Sequence, residues 1–206
     1  MNQAPRLVVF AKAPSPGQVK TRLIPALGAE GAARLAARML AHTLRQALDA
    51  GTGAVELCMS PGPDDPAWLG MEVPDGVSRS EQGQGDLGAR MARAVRRVTT
   101  GAWAQPVLLM GSDCPALTAA LLNEAARQLA QHDAVLLPVA DGGYVLLGLR
   151  ADCPAVFSDM AWSTPGVAAE TLRRLAAQGL SVWRGPTLHD IDEGADLLHV
   201  PPEWMI

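Results

Sequence analysis

Apolar residues recur along this chain in two rhythms. Short unbroken runs at 7–11, 54–59, 106–110, 134–139 and 144–149 suit strands covered on both faces, although Glu56 interrupts the second. Longer stretches between them repeat at helical spacing. Leu35, Met39, Leu40, Leu44, Ala47 and Leu48 predict a helix over 28–50, ended by Gly51 and Gly53. Leu87, Met91, Val95 and Val98 predict a second, and Leu121, Leu122, Ala125 and Leu129 a third over 117–131, with Thr118 as its N-cap. Val167, Leu172, Leu175 and Ala176 predict a fourth over 165–179. A weak strand at 77–82 and a last one at 180–183 complete the set, while 60–74, with its prolines, reads as loop.

Strands alternating with helices predict an α/β fold, three layers deep, with a mostly parallel central sheet. In such sheets ligands bind beyond the carboxyl ends of the strands, and most unusual polar clusters of this chain fall there. At 206 residues the sequence predicts one domain over 1–206. Hydrophobic residues at 49%, charged residues at 18% and a mean hydropathy of +0.11 argue for a packed globule. A net charge of −4 argues against a general electrostatic grip on nucleic acid, although a local cationic pocket is compatible with it. Cys58, Cys114 and Cys153 are too widely spaced for a zinc knuckle or redox dithiol, and the four histidines form no metalloprotease pattern. No secretory leader or membrane span is read, so a cytoplasmic protein is expected.

Several clusters carry possible chemistry. The run at 7–11 breaks at Ala13-Pro14-Ser15-Pro16-Gly17 and is followed by Lys20 and Arg22, an order that suits phosphate handling or, equally, a loop with two solvated charges. Asp113 follows the run at 106–110 and suits Mg²⁺, which takes one or two carboxylates plus substrate phosphates; its other reading is a turn aspartate. Asp190 and Asp192 flank Ile191, so an extended backbone would project both acids on one side with Ile191 buried opposite; otherwise the segment is a solvated acidic turn. Asp141-Gly142-Gly143-Tyr144 places a carboxylate beside two small residues, or simply turns a hairpin. Gly83-Gln84-Gly85-Asp86-Leu87-Gly88 matches the dinucleotide pattern in form, but no strong strand precedes it and no acid follows about twenty residues later. No Walker loop and no nucleophile elbow occur. Trp162, beside Ser163 and Thr164, is the tryptophan placed to line a pocket, if it is not core.

Taken together, six ordered motifs resemble a family. Phe10-Ala11-Lys12-Ala13-Pro14 with Gly17, Lys20, Thr21 and Arg22 comes first, then Gln82 with Gly85-Asp86-Leu87-Gly88 and Arg90-Met91. Gly111-Ser112-Asp113-Cys114-Pro115, Asp141-Gly142-Gly143-Tyr144 with Gly148-Leu149, Trp162-Ser163-Thr164 and Asp190-Ile191-Asp192 follow. The chain resembles the bacterial DUF2064 proteins, GT-A-like members of the nucleotide-diphospho-sugar transferase superfamily. It is similar too to the guanylyltransferases of molybdenum-cofactor and phospholactate metabolism. Ala13-Pro14-Ser15-Pro16-Gly17 replaces the Leu-Ala-Gly-Gly-type loop of related nucleotidyltransferases, and Gly111-Ser112-Asp113 supplies one acid where glycosyltransferases of this fold carry Asp-x-Asp.

The resemblance implies a metal-dependent transferase using a nucleotide sugar or an NTP and a small-molecule acceptor, with no nucleic acid and no membrane span. A nucleotide would lie across Ala11, Lys12, Pro14 and Gly17, with Lys20 and Arg22 on its phosphates and Gln82, Gly85, Asp86 and Arg90 near its base. Asp113 would hold Mg²⁺ or Mn²⁺ with Asp192 or Asp190, and Lys20, Arg22 and Asp113 would carry the catalysis. Asp141, Gly142, Gly143, Tyr144, Trp162, Ser163 and Thr164 would line the substrate pocket. The expected reaction is glycosyltransferase-like. The alternatives are guanylyltransferase-like nucleotidyl transfer with loss of pyrophosphate, and a non-catalytic nucleotide-binding module.

Overall fold

A computed structural model describes residues 3–204; Met1, Asn2, Met205 and Ile206, the ends of the single-domain reading, lie outside it. Seven strands form one sheet: β1 (Arg6–Lys12), β2 (Val55–Ser60), β3 (Val77–Glu81), β4 (Val107–Met110), β5 (Ala134–Pro138), β6 (Tyr144–Leu149) and β7 (Val182–Arg184). Their order is β3-β2-β1-β4-β6-β5-β7. β6 runs antiparallel to both its neighbours, and the other pairings are parallel. The carboxyl ends of the parallel strands and the start of β6 therefore share one edge.

The four long helices are α1 (Ile24–Ala50), α2 (Leu87–Thr99), α3 (Ala119–Leu129) and α4 (Val167–Ala177). Successive strand residues face opposite layers. Leu7 and Val9 pack with Leu40, Leu44 and Leu122 of α1 and α3, whereas Val8 packs with Met91, Val95 and Leu175 of α2 and α4. This is the three-layer α/β/α arrangement expected of a GT-A-like fold. Each fully buried aliphatic side chain in these runs contributes roughly 1.5–3 kcal/mol.

Three local readings change. The first helix starts at Ile24 and contains a break at Gly28, whose φ of 70° and ψ of 165° only glycine adopts readily. Leu87 is 44% exposed rather than inward, because α2 begins at the rim of a cavity. Glu56 is 2% exposed, held by Arg97, Arg6 and the Ser80 hydroxyl, so the polar interruption in β2 is a satisfied internal ion cluster. Thr118 does cap α3, its hydroxyl accepting from the Leu121 N–H at 3.4 Å.

Beyond β7 the chain runs across the ends of the strands. The Leu188 N–H donates to Pro138 O and the Ile191 N–H to Asp113 O at 2.8 Å. Ile191 is fully buried with Leu23, Leu35, Met39 and Val200, which fastens this segment to the start of α1. That fastening sets the position of the flanking acids.

Candidate functional site

A cavity of about 940 Å³ opens at the carboxyl edge of the sheet. One wall is the end of β1 with Ala11 and Lys12, continued by 18–22. Gln82, Gly85, Asp86 and Arg90 bound it on the β3–α2 side. Asp113 follows β4 in the middle, with Asp190 and Asp192 beside it, and Asp141, Gly143, Tyr144, Trp162, Ser163 and Thr164 form the far side. Pro14, Gly17 and Gly142, expected on the wall, are not among its lining residues. Gly142 has a packing role instead. A Cβ there would sit 2.0 Å from Pro165 O, so only glycine lets the β5–β6 turn meet that segment.

The charges meet at the centre. Lys20 is an αL residue with φ 46° and ψ 44°, a conformation costing roughly 1–2 kcal/mol for a side-chain-bearing residue. Its Nζ lies 2.9 Å from Asp113 Oδ2 and 3.4 Å from Asp192 Oδ1. Arg22 Nη1 lies 2.7 Å from Asp192 Oδ2 and 3.6 Å from Glu193 Oε1. The two cations expected on phosphate are thus ion-paired with the acids expected on metal. Burial opposes the charge on Lys20, yet Asp113, then Asp192 and Asp190, hold its pKa above the ordinary lysine value.

Asp190 and Asp192 both face the cavity, with Ile191 buried opposite, as an extended backbone requires. Burial, then the charges of Asp113 and Asp141, push the Asp190 carboxyl up to about 6, with Lys20 pulling it back. The centre is therefore rich in negative charge and receptive to a cation.

The fit to a divalent ion can be tested on the donors themselves. Asp113 and Asp192 converge on one ammonium, so both can face a single cation, and their hard oxygens suit Mg²⁺ or Mn²⁺ finished by substrate phosphate oxygens. Among the described residues no group of three or more His, Cys, Asp and Glu side chains is arranged to hold an ion. Of the two acids expected as partner to Asp113, Asp192 is the one that shares a cation with it in this structure. The pair fits a metal that arrives with further oxygen ligands.

The flanking residues are more constrained than their sequence suggests. Gln82 is buried, and its Nε2 donates to Ala11 O at 3.1 Å and Cys58 O at 3.0 Å. Both amide hydrogens are spent on backbone, so towards a base it can offer only its Oε1. Asp86 caps α2, accepting from the Ala89 N–H at 2.8 Å. Arg90 is steadied by Gly85 O at 2.8 Å and by the Ser60 hydroxyl at 3.3 Å. Ser60, Gln18 and Val19 carried no spacing signal that singled them out, yet the last two line the wall. The Tyr144 hydroxyl is buried with Thr171 as its polar neighbour, and burial drives its pKa well above the ordinary tyrosine value. Trp162 is half-buried against the core, and a Cβ at Gly88 would stand 2.8 Å from its Nε1 and 2.5 Å from Phe157 O. The last glycine of the dinucleotide-like pattern therefore admits this tryptophan to the wall.

Comparison with known proteins agrees with this architecture. No curated protein matches the sequence. A protein from Desulfovibrio desulfuricans G20, named as a candidate nucleotide-diphospho-sugar transferase, is 33% identical over 96% of this chain and 85% of its own, with a TM-score of 0.84. Rv0371c of Mycobacterium tuberculosis H37Rv, solved as a manganese complex, is 18% identical over 97% and 98% of the two chains, with a TM-score of 0.60. A CMP:2-keto-3-deoxy-manno-octonic acid synthetase solved with CTP is 14% identical over 96% of each chain, with a TM-score of 0.59. At those two identities the likeness shows the fold alone. The DUF2064 family, described as an uncharacterized protein conserved in bacteria, matches residues 43–164, and this chain belongs to it.

Proposed function

We propose that this protein is a metal-dependent transferase that uses a nucleotide as donor, with a nucleotide sugar as the first reading. The observation that carries the proposal is the meeting of Asp113, Asp192, Lys20 and Arg22 in one cavity whose flank is the Gln82–Arg90 segment. Asp113 and Asp192 would hold Mg²⁺ or Mn²⁺ beside the donor phosphates. When bound, the ion supplies charge neutralisation at the phosphate oxygens. Lys20 and Arg22 would take the remaining negative charge as the leaving group departs, the preorganised electrostatic help on which such transfers depend. The name carried by the 33% identical relative supports the donor class.

A charge asymmetry favours a glycosyl donor. The cations on the wall, Lys12, Lys20, Arg22 and Arg90, belong to the β1 and α2 side and the loop after β1. The β5–β6 side contributes Asp141, Tyr144 and Thr164 and no cation among its lining residues. Three strand spacings separate β1 from β5, on the order of 14 Å. A phosphorylated acceptor placed there would face carboxylates, whereas an uncharged, hydroxyl-bearing group would not be repelled. Nucleotidyl transfer to an acceptor phosphate is the second reading, suggested by the CTP-bound synthetase of the same fold.

The test is a thermal-shift panel of NTPs, nucleoside diphosphates and nucleotide sugars, with and without Mg²⁺ or Mn²⁺. Metal-dependent stabilisation is expected, with product analysis finding a nucleoside diphosphate rather than pyrophosphate. Stabilisation by nucleotide without turnover of any donor would favour a non-catalytic binding module, and no stabilisation by any nucleotide would end the proposal.

A further inference from the structure

Lys20 stands where a cation shared by Asp113 and Asp192 would stand. Its Nζ is 2.9 Å from one carboxylate and 3.4 Å from the other. The side chain is only 11% exposed, against 61% for Arg22, so Lys20 is the counter-ion that solvent screens least. Its αL backbone directs it inward immediately before the turn at Thr21–Leu23. A divalent ion and this ammonium cannot both contact the same two carboxylates without strong repulsion. Asp190 adds negative charge nearby but does not share the Lys20 ammonium at contact distance.

We propose that Lys20 is an internal counter-ion that couples metal binding to nucleotide binding. The inference rests on the metal reading above and deepens it. For the ion to seat on Asp113 and Asp192, Lys20 must leave them, and a largely buried ammonium leaves readily only for another anion. The phosphates of the nucleotide are that anion. Metal alone then binds poorly, and metal and nucleotide assist each other by the same factor, since coupling between two ligands is reciprocal.

The test is a titration of Mn²⁺ alone, followed by electron paramagnetic resonance, on wild type, Lys20→Met and Lys20→Gln. Thermal melts first establish that each variant is folded, and the two substitutions guard against one failing. The expected result is that both variants bind Mn²⁺ without nucleotide at least tenfold more tightly than wild type, and that adding Asp113→Asn to Lys20→Met removes the gain. Mn²⁺ affinity that is unchanged or weaker in the folded variants would overturn the coupling while leaving the metal site standing. If no form binds Mn²⁺ even with a nucleoside diphosphate, both the coupling and the metal reading fall.

Discussion

Ile191→Ala tests whether the acids are positioned by packing remote from the chemistry. The side chain is fully buried in the cluster of Leu23, Ala32, Leu35, Met39 and Val200. Truncation removes three buried carbon groups, roughly 2.4 kcal/mol at about 0.8 kcal/mol each. The cavity left behind adds to this, giving about 3 kcal/mol within the usual range for such changes. For a chain of 206 residues that is a fall in Tm of roughly 6–12 °C. The control is Leu149→Ala, also buried, at the opposite end of β6 from the cavity and therefore on the order of 16 Å away. Both variants are expected to lose similar stability in a denaturant melt, but only Ile191→Ala should also lose Mn²⁺-nucleotide affinity in calorimetry. Asp190 and Asp192 flank Ile191 and depend on its anchorage, whereas Leu149 sits at the far end of β6 and flanks none of the acids. Equal ligand affinity in the two variants would refute the reasoning.

Other outcomes follow from single contacts. Gly88→Ala places a Cβ 2.8 Å from Trp162 Nε1 and 2.5 Å from Phe157 O, so it should cost roughly 1–3 kcal/mol and alter Trp162 fluorescence; unchanged melting and emission would disprove the close packing. Asp86→Ala removes the α2 N-cap and should cost about 1 kcal/mol by urea titration, whereas Asp86→Asn should cost much less; equal losses would argue against a capping role. Burial raises the Glu56 carboxyl, but the Arg97 and Ser80 hydrogen bonds and Arg6 outweigh it and hold the group below its ordinary 4.5. Because the folded value is the depressed one, this stabilisation is complete above about pH 4.5 and fades as pH falls through the folded value. Wild type should therefore lose stability more steeply than Glu56→Gln below pH 4.5; parallel profiles would contradict this.

How far the sequence discloses the site depends on how local each cause is. The runs at 7–11 and 134–139 read correctly as strands because a strand covered on both faces must be apolar at every position. Thr118 was readable as a cap because capping acts within three residues. The crossing of 188–192 over the strand ends was not readable. Its hydrogen bonds go to Pro138 and Asp113, and no periodicity records such partners. The ion pairs of Lys20 with Asp113 and Asp192 span 93 and 172 positions, so the sequence offered the acids and the cations as separate features. Gly142 was expected to face the pocket and Gly88 stood in a dinucleotide-like pattern, but the reason for each is the close approach of Pro165 and of Trp162. Gln82 was visible as a polar residue, whereas its locking by Ala11 and Cys58 needed β1 and β2 side by side.

In the proposed function, Asp113 and Asp192 present a nucleotide-bound divalent ion within this cavity. The most direct test of this is a crystal of the protein soaked with Mn²⁺ and a nucleoside diphosphate, with manganese located by anomalous scattering. One manganese is expected within coordination distance of both carboxylates and of phosphate oxygens, with Lys20 Nζ moved off Asp113 onto phosphate. Manganese bound elsewhere, or a nucleotide bound in the cavity with neither carboxylate near the ion, would contradict it.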